Sequence, residues 1–360
     1  MHEFVKLTIA DVRPETPEAV SVAFHVPEAL KNTFAFQPGQ HLVLRTRLGE
    51  EELRRTYSIC SGPDDGELRI AIKRIAGGRF SNHANDTLRA GQQVEVLHPA
   101  GRFIVPEGDR HPRHLVAFAA GVGITPILAM VKHTLTREPE SRFTLIYGNR
   151  TPETTLFRSA LEDLKDRYVE RFTLLNVLSR SGEEDVPVLQ GRIDACKVET
   201  IARRLLKLDD VAHVFLCGPG SMIKEARDTL MALGFPRARI HHEFFAAGGG
   251  AYQTRPVPSP AAQAAAEDAV EVTAILDGLR RRFTMSRSEH VVDAAERAGV
   301  HVPYSCKGGM CCTCRCRILE GQADMTVNYS LEPWEVEKGF VLSCQARPTM
   351  PRLVLDYDAL

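Results

Sequence analysis

Up to about residue 108, apolar side chains fall at alternate positions in short runs. These are Phe4–Val12, Val20–Val26, His41–Thr46, Arg55–Ile59, Leu68–Arg74 and Val94–Leu97. A period of two marks half-buried strands. Turn signals separate them, among them Pro38-Gly39 and Pro63-Asp64-Asp65-Gly66. Six short strands so punctuated predict a small barrel over residues 1–108.

Over residues 109–245 the pattern changes. Unbroken apolar runs at Leu115–Ala120, Phe143–Tyr147, Phe172–Leu178 and Val214–Cys217 alternate with helical periodicity. The helices are expected near Pro126–Thr136, Leu156–Lys165, Glu199–Leu206 and Ser221–Leu233. Alternation of this kind predicts an α/β unit, a parallel sheet covered on both faces, with ligands at the carboxyl ends of its strands. Residues 246–268 break the pattern with Ala-Ala-Gly-Gly-Gly, then Pro256, Pro258 and Pro260, and read as a linker. Residues 269–360 form a third, α+β segment. Val270–Leu276 and Leu279–Met285 alternate around the hairpin signal Asp277-Gly278. Ser288 is expected to cap a helix running to Ala298, stopped by Gly299.

Charge narrows the partners. Lys+Arg number 45 and Asp+Glu 46, which favours neither nucleic acid nor a membrane surface. Met1–Lys6 shows an early acid and no apolar leader core. The longest apolar stretch, Leu115–Val131, is broken by Gly121, Gly123 and Pro126 and is short for a spanning helix. A cytoplasmic protein is expected. Nine cysteines are present, five of them between Cys306 and Cys316. Without an export signal, that clustering favours metal over disulfides.

Cys306, Cys311 and Cys314 are spaced C-x4-C-x2-C, and Cys344 follows after 29 residues. This is plant-type [2Fe–2S] spacing, in which each iron takes two cysteine sulfurs. The intervening Lys307-Gly308-Gly309-Met310 lets backbone amides approach the sulfurs. A four-cysteine zinc site is the competing metal reading, but it wants two C-x2-C pairs and only Cys311/Cys314 makes one. Cys312 and Cys316 are taken as non-ligands, Cys60 and Cys196 as ordinary cysteines. Lys307, Arg315 and Arg317 rim the loop, either to meet an acidic partner or as solvated charges.

Arg55-Thr56-Tyr57-Ser58 ends one barrel strand, and Lys73 through Gly78-Arg79-Phe80-Ser81 follows another. A flavin needs an aromatic face (Tyr57), a hydroxyl near N5 (Ser58), a cation for its pyrophosphate (Arg55) and donors at a helix start (Gly78, Ser81). R-x-Y-S followed by G-G-x-F-S resembles the ferredoxin–NADP reductase superfamily. That resemblance implies FAD, with Arg55, Thr56, Tyr57, Ser58, Lys73, Gly78, Phe80 and Ser81 around it.

Gly121-Val122-Gly123-Ile124-Thr125-Pro126 follows an apolar strand and opens a helix. It lacks the third glycine of the usual dinucleotide fingerprint. Gly121 and Gly123 would still admit a pyrophosphate, with Thr125 capping the helix. Cys217-Gly218-Pro219-Gly220-Ser221-Met222 ends a later strand. In the superfamily this C-G-P turn brings the cysteine to the nicotinamide, so the resemblance implies Ser58 and Cys217 at the hydride-transfer centre and Gly218, Pro219 and Met222 beside the cofactor. Arg150, Ser179 and Arg180 follow the second and third strands, where cations can meet a 2′-phosphate. NADPH is therefore expected over NADH.

The order of segments, the cysteine loop and the ending Leu355-Asp356-Tyr357-Asp358 resemble the reductase-subunit family of phenylacetyl-CoA 1,2-epoxidase. This implies a β-grasp-like ferredoxin at the C-terminus and an electron-transfer oxidoreductase serving a diiron oxygenase subunit. Another oxygenase, a hybrid-cluster protein, or a non-enzymatic carrier or sensor are the alternatives.

Overall fold

The computed structural model describes residues 3–107, 112–180, 186–245 and 269–359, so the expected linker at 246–268 lies outside the described residues. The chain divides into two compact units, a larger one with the barrel and the parallel sheet and a smaller C-terminal one.

The barrel consists of β1 (Val5–Thr16), β2 (Ala19–His25), β3 (His41–Leu48), β4 (Glu51–Ser58), β5 (Leu68–Lys73) and β6 (Gln93–Val96), with helix α1 (Arg79–Thr87). The strand order is β4-β3-β6-β1-β2-β5. Closure comes from Ile59, just past β4, which bridges Ile70 on β5. Alternate residues point inward: Leu7 and Ile9, Leu42 and Leu44, Ile70 and Ile72 fill the core. Strand β1 continues beyond Val12 into polar residues, with register irregularities at Ile9/Asp11 and Pro14/Thr16.

The parallel sheet contains β7 (His114–Ala120), β8 (Arg142–Asn149), β9 (Phe172–Leu178), β10 (Val211–Gly218) and β11 (Ile240–Phe244) in the order β11-β10-β7-β8-β9. Helices α2 (Ile124–Arg137), α3 (Arg158–Arg167), α4 (Ala195–Arg204) and α5 (Gly220–Ala232) connect them. Leu115, Ala117 and Ala119 enter one core and Val116 and Phe118 another, so β7 is buried on both faces. Two details differ from expectation. Strand β11, with His241, His242 and Glu243 among its residues, is not evident from periodicity. Thr125 does not cap α2: Gly123 holds that position, and the Thr125 hydroxyl, inside the first turn, donates to the Val122 carbonyl at 3.0 Å.

The smaller unit holds β12 (Ala269–Leu276), β13 (Leu279–Ser286), α6 (Val291–Arg297), β14 (Arg315–Glu320), β15 (Ala323–Met325), α7 (Pro333–Glu337), β16 (Phe340–Leu342), β17 (Ala346–Pro348) and β18 (Arg352–Asp356). Its main sheet is ordered β13-β12-β18-β14-β16, with β12 and β18 parallel. Helix α6 lays Val291, Val292, Ala294 and Ala295 on a core with Val272, Leu353 and Leu355. The hairpin has Asp277 and Gly278 at φ of 50° and 74°, and Asp358 accepts from both amides at 2.8 Å. His290, not Ser288, occupies the cap of α6. Ser288 is used earlier, its hydroxyl 2.9 Å from that of Ser286 in a turn closed by Glu289.

Candidate active site

The cysteine loop curls because Lys307, Gly309 and Cys312 all take left-handed backbone, at φ of 47°, 74° and 54°. A side chain at Gly309 would come within 2.9 Å of the Val327 carbonyl, so the tight turn requires glycine. The expected ligands converge as two pairs, Cys306 with Cys311 and Cys314 with Cys344, near enough for their charges to interact. The Gly308 amide donates to Cys306 Sγ at 3.3 Å. A hydrogen bond from Cys311 brings the Cys306 thiol down to about 7, and Cys314 likewise lowers Cys344. The same pairing, with burial, pushes Cys311 and Cys314 well up. Each pair thus holds one thiol more acidic than its partner, and metal would displace the protons. Among the described residues no group of three or more His, Cys, Asp or Glu is set to hold a metal ion. The two sulfur pairs instead fit the demand of two irons for two cysteines each.

Cys316 faces the Val341 carbonyl at 3.9 Å inside the core, and Cys312 is half-buried. Of the rim cations, Lys307 is held by Asp293 at 2.8 Å and Glu296 at 2.5 Å. Arg315 pairs with buried Glu335 at 3.0 Å and stacks 3.5 Å from the Phe340 centroid. Both are therefore committed within the unit. Cys60 is buried, whereas Cys196 is exposed on α4.

On the barrel, Arg55, Thr56, Tyr57 and Ser58 alternate along the end of β4. Arg55 donates to the Arg54 carbonyl at 2.7 Å. The Tyr57 ring lies 5.6 Å from Phe80 on α1, and Lys73 is 3.6 Å from Glu18. Gly78 caps α1, and a Cβ there would fall 2.5 Å from Ser81 Oγ. Ser81 accepts from the Ile75 amide at 3.1 Å and donates to the Gly78 carbonyl at 3.3 Å. Its hydroxyl therefore shapes the turn. Ser81 and Ile75 fill the space beside Gly78, so this tight turn at the helix start requires glycine.

On the parallel sheet the two glycine turns are neighbours because β7 and β10 are adjacent. Gly121 is at φ 53°, and Tyr147 Oη donates to its carbonyl at 3.0 Å. A Cβ on Gly123 would lie 2.3 Å from the Cys217 carbonyl, so only glycine lets the turns touch. Gly218, at φ 157°, lies against Met222, and Pro219 caps α5. At the ends of β8 and β9, the Arg180 amide donates to the Arg150 carbonyl at 2.9 Å. Arg150, Ser179 and Arg180 are exposed at these neighbouring strand ends.

A carboxylate from the parallel sheet reaches the barrel. Ser58 Oγ donates to Glu243 Oε2 at 3.3 Å, and Glu243 pairs in register with Cys217. Burial, with the nearby Glu243 charge, holds the Cys217 thiol well above its ordinary range. His41 Nδ1 lies 3.9 Å from Glu243 Oε1, and burial keeps its imidazole neutral, down to about 4. Glu243 and His41 were not singled out from sequence. Glu243 sits in a short strand with two histidines, and its one signal is its place after the last helix of the sheet.

Barrel, parallel sheet and cysteine loop together define an oxidoreductase that binds a flavin, a nicotinamide and an iron–sulfur cluster. Residues 8–104 match the oxidoreductase FAD-binding domain, 118–228 the oxidoreductase NAD-binding domain, and 274–349 the 2Fe-2S iron-sulfur cluster binding domain. The chain is 45% identical to a subunit of the 1,2-phenylacetyl-CoA epoxidase of Escherichia coli (strain K12), over 100% of this chain and 99% of that protein. It is 34% identical to the ferredoxin reductase component of 3-ketosteroid-9-alpha-monooxygenase of Rhodococcus rhodochrous, over 98% and 97%. Phthalate dioxygenase reductase shares the fold, with a TM-score of 0.60, 24% identity and 98% of each chain covered. The chain belongs to the family of oxygenase reductase components that join FAD-binding and NAD-binding domains to a C-terminal 2Fe-2S domain. It is a reductase component that passes electrons through FAD and the 2Fe-2S cluster. Among the described residues no helix is long and apolar enough to cross a membrane.

Proposed function

We propose that this reductase draws electrons from NADPH and delivers them in the cytoplasm to a diiron oxygenase that epoxidises phenylacetyl-CoA. The observation that carries this reading is the full-length 45% identity to one component of such an epoxidase. The proposed domains are 1–108 for FAD, 109–245 for NADPH and 269–360 for the cluster, joined by a linker at 246–268. Bound FAD supplies the conversion of a hydride into single electrons, which the cluster carries outward.

The chain's own residues supply placement. Arg55 and the start of α1 would hold the pyrophosphate, and Tyr57 the flavin face. Thr56, Lys73 and Phe80 complete the flavin site. Gly121, Gly123, Thr125, Gly218, Pro219 and Met222 shape the nicotinamide end, and Arg150, Ser179 and Arg180 the 2′-phosphate end. Ser58 would present its hydroxyl to the flavin edge, and Glu243, hydrogen-bonded to it, would accept at Oε2 the proton released when the reduced flavin is reoxidised. Buried Cys217 packs against the nicotinamide and excludes water. Cys306, Cys311, Cys314 and Cys344 hold the irons.

The test is reconstitution of the purified reductase with a phenylacetyl-CoA epoxidase oxygenase, NADPH and phenylacetyl-CoA. Coupled epoxide formation is expected. NADPH-dependent cytochrome c reduction without epoxide formation would transfer the chain to another oxygenase, a reading its 34% identity to a steroid monooxygenase reductase already supports.

A further inference from the structure

Gln345 follows the fourth cysteine and is buried, at 5% exposure. Its Nε2 donates to the Lys307 carbonyl at 2.7 Å and lies 3.8 Å from Cys344 Sγ. Its backbone is fixed as well: the amide donates to Leu342 at 2.8 Å, and the carbonyl accepts from the Thr326 amide at 3.0 Å. Lys307, a non-glycine residue at φ 47°, holds a conformation that persists only when its surroundings over-determine it. Here its ammonium is tied to Asp293 and Glu296 and its carbonyl to Gln345. Across the loop, a side chain on Gly309 would press to 3.3 Å from Gln345 Cγ. A leucine at 345 would fill similar space but leave that carbonyl without its donor.

We infer that Gln345 is a positioning residue that sets the reduction potential of the cluster. Its side-chain amide pins the strained loop and aims an N–H dipole at Cys344 Sγ. On reduction the cluster gains one electron and one unit of negative charge, with no bond made or broken. A donor aimed at the sulfur favours that more negative state and raises the potential. The inference rests on Cys344 being a ligand.

The experiment is anaerobic redox titration of the full-length protein, following the EPR signal of the reduced cluster, with iron content measured in parallel. Q345L is expected to keep its iron and accept electrons about tenfold less favourably, a shift of about 59 mV downward for a one-electron couple. Q345E, which places an acceptor where the donor stood, is expected to shift the same way. K307G/Q345L relieves the backbone strain and is expected to keep the lowered potential. Wild-type potentials in iron-replete Q345L and Q345E would overturn the inference. So would recovery of the potential in the double variant, which would assign the effect to loop strain. Loss of iron from all three would also overturn it, making Gln345 a folding residue. Full iron in Cys344→Ser would instead sink the ligand assignment, separately from Gln345.

Discussion

The cysteine loop and the proposed hydride-transfer centre are built in opposite ways. Three of the four expected ligands sit on one loop, where left-handed residues at 307, 309 and 312 aim the sulfurs. Ser58 and Glu243 touch across 185 positions and come from different sheets, with Cys217 from a third strand. Chelation can be encoded locally, because a cluster gathers its own ligands. Placing a hydroxyl, a thiol and a carboxylate around one ring edge depends on the packing of two sheets. The first site should therefore break alone, and the second only through the strands that carry it.

The sharpest test of that contrast is Cys344→Ser. Iron and the visible absorption of the cluster should be lost, while NADPH oxidation with ferricyanide survives; a wild-type spectrum with full iron would erase the distinction. Glu243→Gln should slow reoxidation of the reduced flavin on the order of 100-fold in stopped-flow, the lower end for a lost proton-transfer group. An unchanged rate would reduce the centre to Ser58 and Cys217. Arg150→Ala should raise KM for NADPH about tenfold and leave that for NADH nearly unchanged, since one charge-assisted hydrogen bond contributes about 1.5–3 kcal/mol. Equal changes would remove Arg150 from the 2′-phosphate site.

The smallest effect is one of pH. Burial lowers His41 and His114 to about 4, against 6.5 for the free side chain. Between those values the unfolded chain binds the protons that the folded one refuses. Stability should therefore fall as pH drops from 6.5 toward 4, by on the order of 1 kcal/mol per unit for each histidine. Urea titrations at pH 7 and pH 5 read this directly. His41→Leu should flatten the slope, and an unaltered slope would remove His41 from the account.

Legibility in the sequence follows the same division. The barrel strands, four strands of the parallel sheet and the cysteine spacing all carry strong local signals. Strand β11 did not, because its five residues include His241, His242 and Glu243, whose polarity reflects the junction they serve. The polarity that hides the strand also hides Glu243. Thr125 and Ser288 each looked like helix caps but spend their hydroxyls elsewhere, Thr125 on Val122 and Ser288 on Ser286. Such choices depend on where the chain turns, which hydroxyl chemistry alone does not fix.

Closure of the barrel by Ile59 against Ile70 has a genetic corollary. With the strand pinned beyond Ser58, deleting a single codon between Glu51 and Arg54 could not be absorbed by sliding at that end. With Ile59 fixed, Tyr57 and Ser58 would keep their faces, and the residues between the deletion and Gly49 would change theirs. The shortening would be drawn from the Gly49 turn, where nothing lies within 4 Å of an added side chain.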